Sequence, residues 1–271
     1  MTKKEISEMS FLIKRSIDFA RYRLGTNHYH GHGIHSPYLF RMAEEVFTDC
    51  SDRREFEPVE NVRREILNDF SPIPGPDPGA GSRRKRKERT LRTFVRTASI
   101  SPRYGRMLTR LVRFARPERI IEWGTGTGIS TLYLATAIPS VPVYTVEGNP
   151  WLARRAQTIF KKTGNTNIHS VVGLFEETFH LVFPDEPIPC LYFIDGNHSA
   201  AGTMRIVEKI MNHMHPESVI VLDDIRWSEE MYTTWKELTS RPEVRVSLDL
   251  FSMGILLFRP GLWKQHFRIR F

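Results

Sequence analysis

The chain has 271 residues, 40% hydrophobic and 11% aromatic. That excludes an intrinsically disordered polymer and leaves room for one large α/β domain with a smaller appendage. The formal charge is +8, but residues 83–89 (RRKRKER) carry +5 of it, so a surface uniformly built for polyanions is not required. Two cysteines, Cys50 and Cys190, lie far apart and exclude a disulfide framework or a cysteine-rich zinc site.

The first 25 residues have no continuous apolar core of the signal-peptide kind, and no run of about 18 apolar residues occurs anywhere. The expectation is a cytoplasmic protein with no membrane partner. Ile6, Met9, Ile13, Ile17, Ala20 and Leu24 recur at helical spacing and predict an amphipathic helix. The four histidines of HYHGHGIHSPYLF (His28, His30, His32 and His35) match no standard structural zinc pattern and read as a solvated or helix-packing cluster. Ser36–Pro37 is a helix start, a hydroxyl at the N-cap followed by proline in the first turn, with Phe40, Ala43 and Phe47 as the expected buried face. A further helix is expected from Arg53 to Phe70, closed by the breaker cluster SPIPGPDPGAG.

GPDPGAGSRRKRKERT (75–90) invites a phosphate-loop reading. It follows a breaker cluster rather than a strand and lacks G-x-x-x-x-G-K, so that reading fails. Two remain: a solvated loop, or a basic lid that meets an anionic ligand. After it, Leu91, Phe94, Val95 and Ala98 mark a helical face, and Ser101–Pro102 opens a helix through Met107, Leu108, Leu111 and Val112.

From Arg119 onward short β-rich runs alternate with helical segments: 119–124, 142–148, 168–173, 190–196 and 218–224. That alternation predicts a doubly wound, Rossmann-like parallel sheet, and VRVSLDLFSMGILLFR predicts an antiparallel hairpin at its edge. The expected organisation is a helical cap with a basic loop over 1–98 and an α/β domain over 99–271.

The first strand runs into Gly124-Thr125-Gly126-Thr127-Gly128 and then directly into a helix. Glycines there allow a sharp turn and close approach of a ligand to a helix N-terminus. Glu147 ends the next strand, where its carboxylate can accept from both hydroxyls of a ribose. Asp195, Asp223 and Asp224 follow the strands expected at the sheet centre, where open α/β sheets place their ligands. Three carboxylates converging there repel unless a proton or a cation intervenes, and Mg²⁺ or another divalent cation held by oxygen ligands is one answer.

E-x-G-x-G-x-G after strand one, acids ending strands two and four, and a terminal hairpin resemble the class I S-adenosylmethionine-dependent methyltransferases, with seven strands. The likeness covers about residues 100–260. It implies S-adenosylmethionine as cofactor, with Glu122, Gly124, Thr125, Gly126 and Gly128 at its methionine and sulfonium end. Glu147 and Gly148 would lie at the ribose, with Gly173 and Asp195 beside them. The position after strand three, often Asp or Asn near the adenine, is Leu174 here.

FIDGNHSA with VLDDIRW resembles the catechol-type, metal-dependent O-methyltransferases and their bacterial small-molecule relatives. Asp195, Asp223 and Asp224 would correspond to metal positions, although that pattern ends in Asn where this chain has Asp224. His198 would stand where catechol enzymes carry a lysine, and a neutral imidazole can accept a hydroxyl proton near pH 7. The end of strand four is Asp-Gly-Asn-His, not the turn of enzymes that methylate base amines. HGIHSP also resembles a segment preceding the methyltransferase core in a group of bacterial proteins.

The expected function is O-methylation of a small-molecule acceptor, anionic if the basic run meets it. Two alternatives stay open: methylation of RNA, with the basic run on phosphates, and cofactor binding without turnover. Oligomeric state is not set by the sequence.

Overall fold

Ser36 and Ser101 each cap a helix whose first residue is proline, accepting from the amides of Leu39 (3.5 Å) and Tyr104 (3.4 Å). The structure, a computed structural model, describes residues 16–25, 36–48, 52–75, 89–196 and 199–271. Helices α1 (Pro37–Met42), α2 (Glu57–Leu67), α3 (Leu91–Ala98) and α4 (Pro102–Ala115) precede the sheet. A π-turn extends α1 through Ala43–Phe47, and a 3-10 turn, Arg53–Phe56, leads into α2.

The sheet region alternates as expected. It runs β1 (Arg119–Trp123), α5 (Ile129–Ala137), β2 (Val143–Glu147), α6 (Pro150–Thr163), β3 (Ile168–Val172) and α7 (Phe175–Val182). It continues with β4 (Cys190–Ile194), α8 (Ala200–Met211), β5 (Val219–Leu222), α9 (Glu229–Ser240), β6 (Val246–Asp249), β7 (Gly254–Leu257) and β8 (Gln265–Arg268). The spatial order is β3-β2-β1-β4-β5-β7-β6-β8. Strands β1 to β5 run parallel, β7 is antiparallel to β5 and β6, and β8 lies parallel to β6.

The eighth strand is an addition to the seven expected, and the hairpin is consequently not the edge. KQHFRIRF hides its period-2 pattern: Phe267 and Ile269 are buried and Phe271 is half-buried on the same face, while the basic alternate positions suit an exposed edge.

Side-chain alternation along the strands splits the core in two. Ile120 and Phe193 face the layer holding α1–α6, with Leu108, Leu111, Ile129 and Leu132. Ile121, Trp123 and Tyr192 face α7–α9, with Phe179, Val207 and Trp235. Leu39, Phe56, Ile66 and Leu91, all upstream of residue 98, belong to the first of these cores.

Two buried faces differ from expectation. In α1 Leu39, Met42, Ala43 and Val46 are inside and Phe40 is exposed, because the helix lies rotated by about one residue and widens into the π-turn. In helical residues 16–24 the buried side chain is Tyr22, while Ile17 and Leu24 are exposed. Tyr22 wins because its ring packs on Phe251 and its hydroxyl reaches the carbonyl oxygens of Asp249 (3.0 Å) and Ile269. Ile6, Met9, Ile13 and the four histidines lie outside the described residues, as do residues 83–88 of the basic run. Among the described residues no helix is long and apolar enough to cross a membrane.

Candidate active site

The parallel register brings the carboxyl ends of β1, β2, β3, β4 and β5 to one edge, with Trp123 level with Ile194 and Val146, and Ile194 level with Leu222. Main-chain bonds continue the alignment beyond the strands. The amides of Gly124 and Thr125 donate to Val146 O, Gly173 to Glu147 O, Asp195 to Trp123 O and Asp223 to Ile194 O. Gly124, Gly148, Gly173, Asp195 and Asp223 therefore form one rim.

Gly124 has φ +110°, and a Cβ there would stand 2.6 Å from the carbonyl oxygen of Asp195. Only glycine lets the β4 exit cross the loop so closely. Gly126 (φ +52°) is covered instead by Phe94 of α3, whose ring carbons would lie 3.0 and 3.1 Å from a Cβ. Gly128 caps α5, donating its own amide to Thr125 O (2.7 Å).

Glu147 is nearly enclosed at 7% exposure. Its Oε2 accepts the Gly126 amide (2.7 Å) and its Oε1 the Asn149 amide (2.8 Å), so the carboxylate is tied to both the glycine loop and the start of α6. Asn149 also caps α6 through its Oδ1, which accepts from Trp151 N (2.9 Å) and Leu152 N (3.2 Å), and its Nδ2 donates to Pro74 O (3.0 Å). Sequence reasoning passed over Asn149, although Asn-Pro after a strand is a helix-start signal.

Glu122 lies one layer deeper, wholly enclosed beneath the loop rather than on the rim. Thr131 (2.5 Å) and Thr145 (2.6 Å) donate to its Oε2, and Thr145 also meets Thr125 (2.5 Å). Its Oε1 has no hydrogen-bond partner among the described residues. Burial raises its pKa; the threonine hydrogen bonds oppose that shift and the charge of Glu147 adds to it.

Asp195 is pushed well above the usual carboxylate range, first by burial and then by the charges of Asp223, Asp224, Glu122 and Glu147. The expected mutual repulsion is thus present. The expected metal cluster is not: among the described residues no group of three or more His, Cys, Asp or Glu side chains comes together to hold an ion. Local geometry explains it. Asp223 Oδ1 accepts the Asp224 amide (2.8 Å), and Asp224 sits at φ +51°, in a turn completed by Trp227 N on its carbonyl (2.8 Å). Among the described residues, Asp195, Asp223 and Asp224 thus do not gather into a three-carboxylate set around one point. His198 lies outside the described residues. Leu174, two residues past β3 at the start of α7, is 47% exposed beside this rim.

A family model described as a methyltransferase domain matches residues 121–225, from within β1 to just past β5. The chain carries a methyltransferase domain. Solved structures agree on the fold. The S-adenosylhomocysteine-bound methyltransferase PaMTH1 from Podospora anserina superimposes with TM-score 0.58 at 15% identity, over 75% of this chain and 88% of that one. An O-methyltransferase from Bacillus cereus, solved with S-adenosylhomocysteine, gives 0.54 at 17% identity over 81% and 96%. TomG from Streptomyces achromogenes, an O-methyltransferase of tomaymycin synthesis solved with S-adenosylmethionine, gives 0.52 at 19% over 60% and 82%. Among curated proteins no sequence relative matches. The methyltransferase domain holds Glu122, Gly124–Gly128, Glu147, Asp195 and Asp224, whereas Phe94 and Pro74 come from outside it.

Proposed function

We propose that the protein is an S-adenosylmethionine-dependent methyltransferase acting on a hydroxyl oxygen of a small-molecule acceptor. The observation that carries this is Glu147, a carboxylate held by two main-chain amides at the rim of a glycine loop. The residues suit the cofactor: Gly126 leaves main chain close to the rim, Glu147 offers acceptor lone pairs to a diol, and Leu174 offers an apolar surface. Bound S-adenosylmethionine supplies an electrophilic methyl group on a sulfonium. Glu122 would keep Thr131 and Thr145 in place under the loop, and Gly148 and Gly173 would border the ribose.

His198 takes the acceptor's proton as the oxygen attacks in line, and Asp195, with its raised pKa, hydrogen-bonds the same hydroxyl or its neighbour. No step is routed through a metal. Residues 1–98 act as a cap on the 99–271 domain, a reading supported by the core they share with the sheet. The basic run at 83–89 favours an anionic acceptor in the cytoplasm.

The test is transfer of labelled methyl groups to a panel of hydroxylated anions and to RNA. Label should enter a small-molecule hydroxyl and not RNA. His198→Ala should lower kcat by at least ~100-fold with cofactor affinity intact. Label in RNA alone would refute the acceptor class.

A further inference from the structure

Two pieces of chain upstream of the methyltransferase domain, 69–75 and 89–94, are tied together by an antiparallel bridge between Pro72 and Thr90. Ile73 N donates to Arg89 O (2.6 Å), Leu91 N to Ser71 O (3.0 Å) and Arg92 N to Asp69 O (2.9 Å). The strap they form is anchored to α6 by the Asp69–Arg155 ion pair (2.5 Å) and to the core by Leu91, which is fully buried. From this base it makes two contacts with the site. Phe94 covers Gly126, and Pro74 O accepts from Asn149 Nδ2. Gly126 and Asn149 are the two residues whose amides hold the two carboxylate oxygens of Glu147. The strap therefore grips both donors that orient this one acid, each from its own side.

We infer that the strap is a positioning element for Glu147: Phe94 and Pro74 fix the Gly126 and Asn149 amides, and those amides aim the carboxylate at the vicinal diol of the ligand's ribose. The inference rests on the reading that Glu147 receives the ribose of S-adenosylmethionine. It explains why a chain segment outside the methyltransferase domain, with no titratable group at either point of contact, is built against the loop. An unsupported carboxylate would swing between rotamers and lose bidentate geometry toward the diol.

The test is a double-mutant cycle on S-adenosylmethionine affinity, read by titration calorimetry on the full chain. Phe94→Ala should weaken binding about tenfold, the loss of one oriented charge-assisted hydrogen bond. Phe94→Leu, which keeps the bulk over Gly126, should restore most of it. Asn149→Ser keeps a cap for α6 and removes the bond to Pro74, and should weaken binding severalfold from the other side. In a Glu147→Ala background Phe94→Ala should change affinity by less than about twofold, because the group it positions is gone.

A general destabilisation would not show this dependence on Glu147, and Tm of the unliganded variants reports it separately. Equal losses from Phe94→Ala with and without Glu147, or no loss at all, would overturn the inference. Failure of the unaltered protein to bind would overturn the cofactor reading itself, and that result cannot be confused with the first two.

Discussion

Glu122 shows how a single residue can be conspicuous in sequence and buried in function. It opens the E-x-G-x-G-x-G string, yet the β1 alternation that sends Ile121 and Trp123 to one core sends Ile120 and Glu122 to the other, under α5. An acid there is favoured in its protonated form, so the folded protein binds more protons than the unfolded chain between the ordinary and the raised pKa. Stability from this group is present at low pH and lost as pH rises through the raised value. Glu122→Gln removes that dependence. Thermal melts should show the variant gaining on the wild type at pH 8 relative to pH 5; a difference independent of pH would contradict the buried-acid account. Asp224 is the converse, an apparent ligand whose left-handed backbone belongs to a turn, one of the few places a short polar residue tolerates it.

At the scale of elements, the β5 exit is fastened to the β6–β7 turn. Arg226 donates to Asp249 through both terminal nitrogens, 2.7 and 2.5 Å, and to Phe251 O at 2.6 Å, while Ile225 N donates to Ser252 O (2.9 Å). Tyr22, Tyr232 and Phe251 surround the guanidinium. Burial alone would lower the Arg226 pKa; the hydrogen bonds and charge of Asp249 raise it instead. Asp249→Asn leaves a buried cation uncompensated and should cost about 3–5 kcal/mol in urea unfolding, whereas Arg226→Met with Asp249→Leu should cost less than the single change. A double variant as unstable as the single one would refute the clasp.

Neither Arg226 nor Asp249 was legible as a pair, since they stand 23 positions apart in the sequence with α9 and most of β6 between them. The strands and the Ser-Pro helix starts were legible, because periodicity and capping are local. Tyr22 was not, because its advantage over Ile17 lies in two carbonyl groups more than two hundred residues away.

For the whole molecule, the rim of glycines and acids could be read from sequence because each member directly follows a strand, and a parallel sheet brings strand ends together without further information. The parts that complete it could not. Phe94 reads as one more apolar position on a helix, and Pro74 as one breaker among several. Only the path of the chain across the sheet edge sets them on Gly126 and Asn149. The three aspartates illustrate the opposite failure: strand ends bring them near, but the turn at Asp223–Asp224 decides where the oxygens go.

The central claim is that this rim binds S-adenosylmethionine through Glu147. Calorimetric titration of the cofactor into the wild type and into Glu147→Ala tests it most directly. One-to-one binding, weakened at least about tenfold in the variant, is the predicted result. No binding to the wild type, or equal affinity for both proteins, would contradict it.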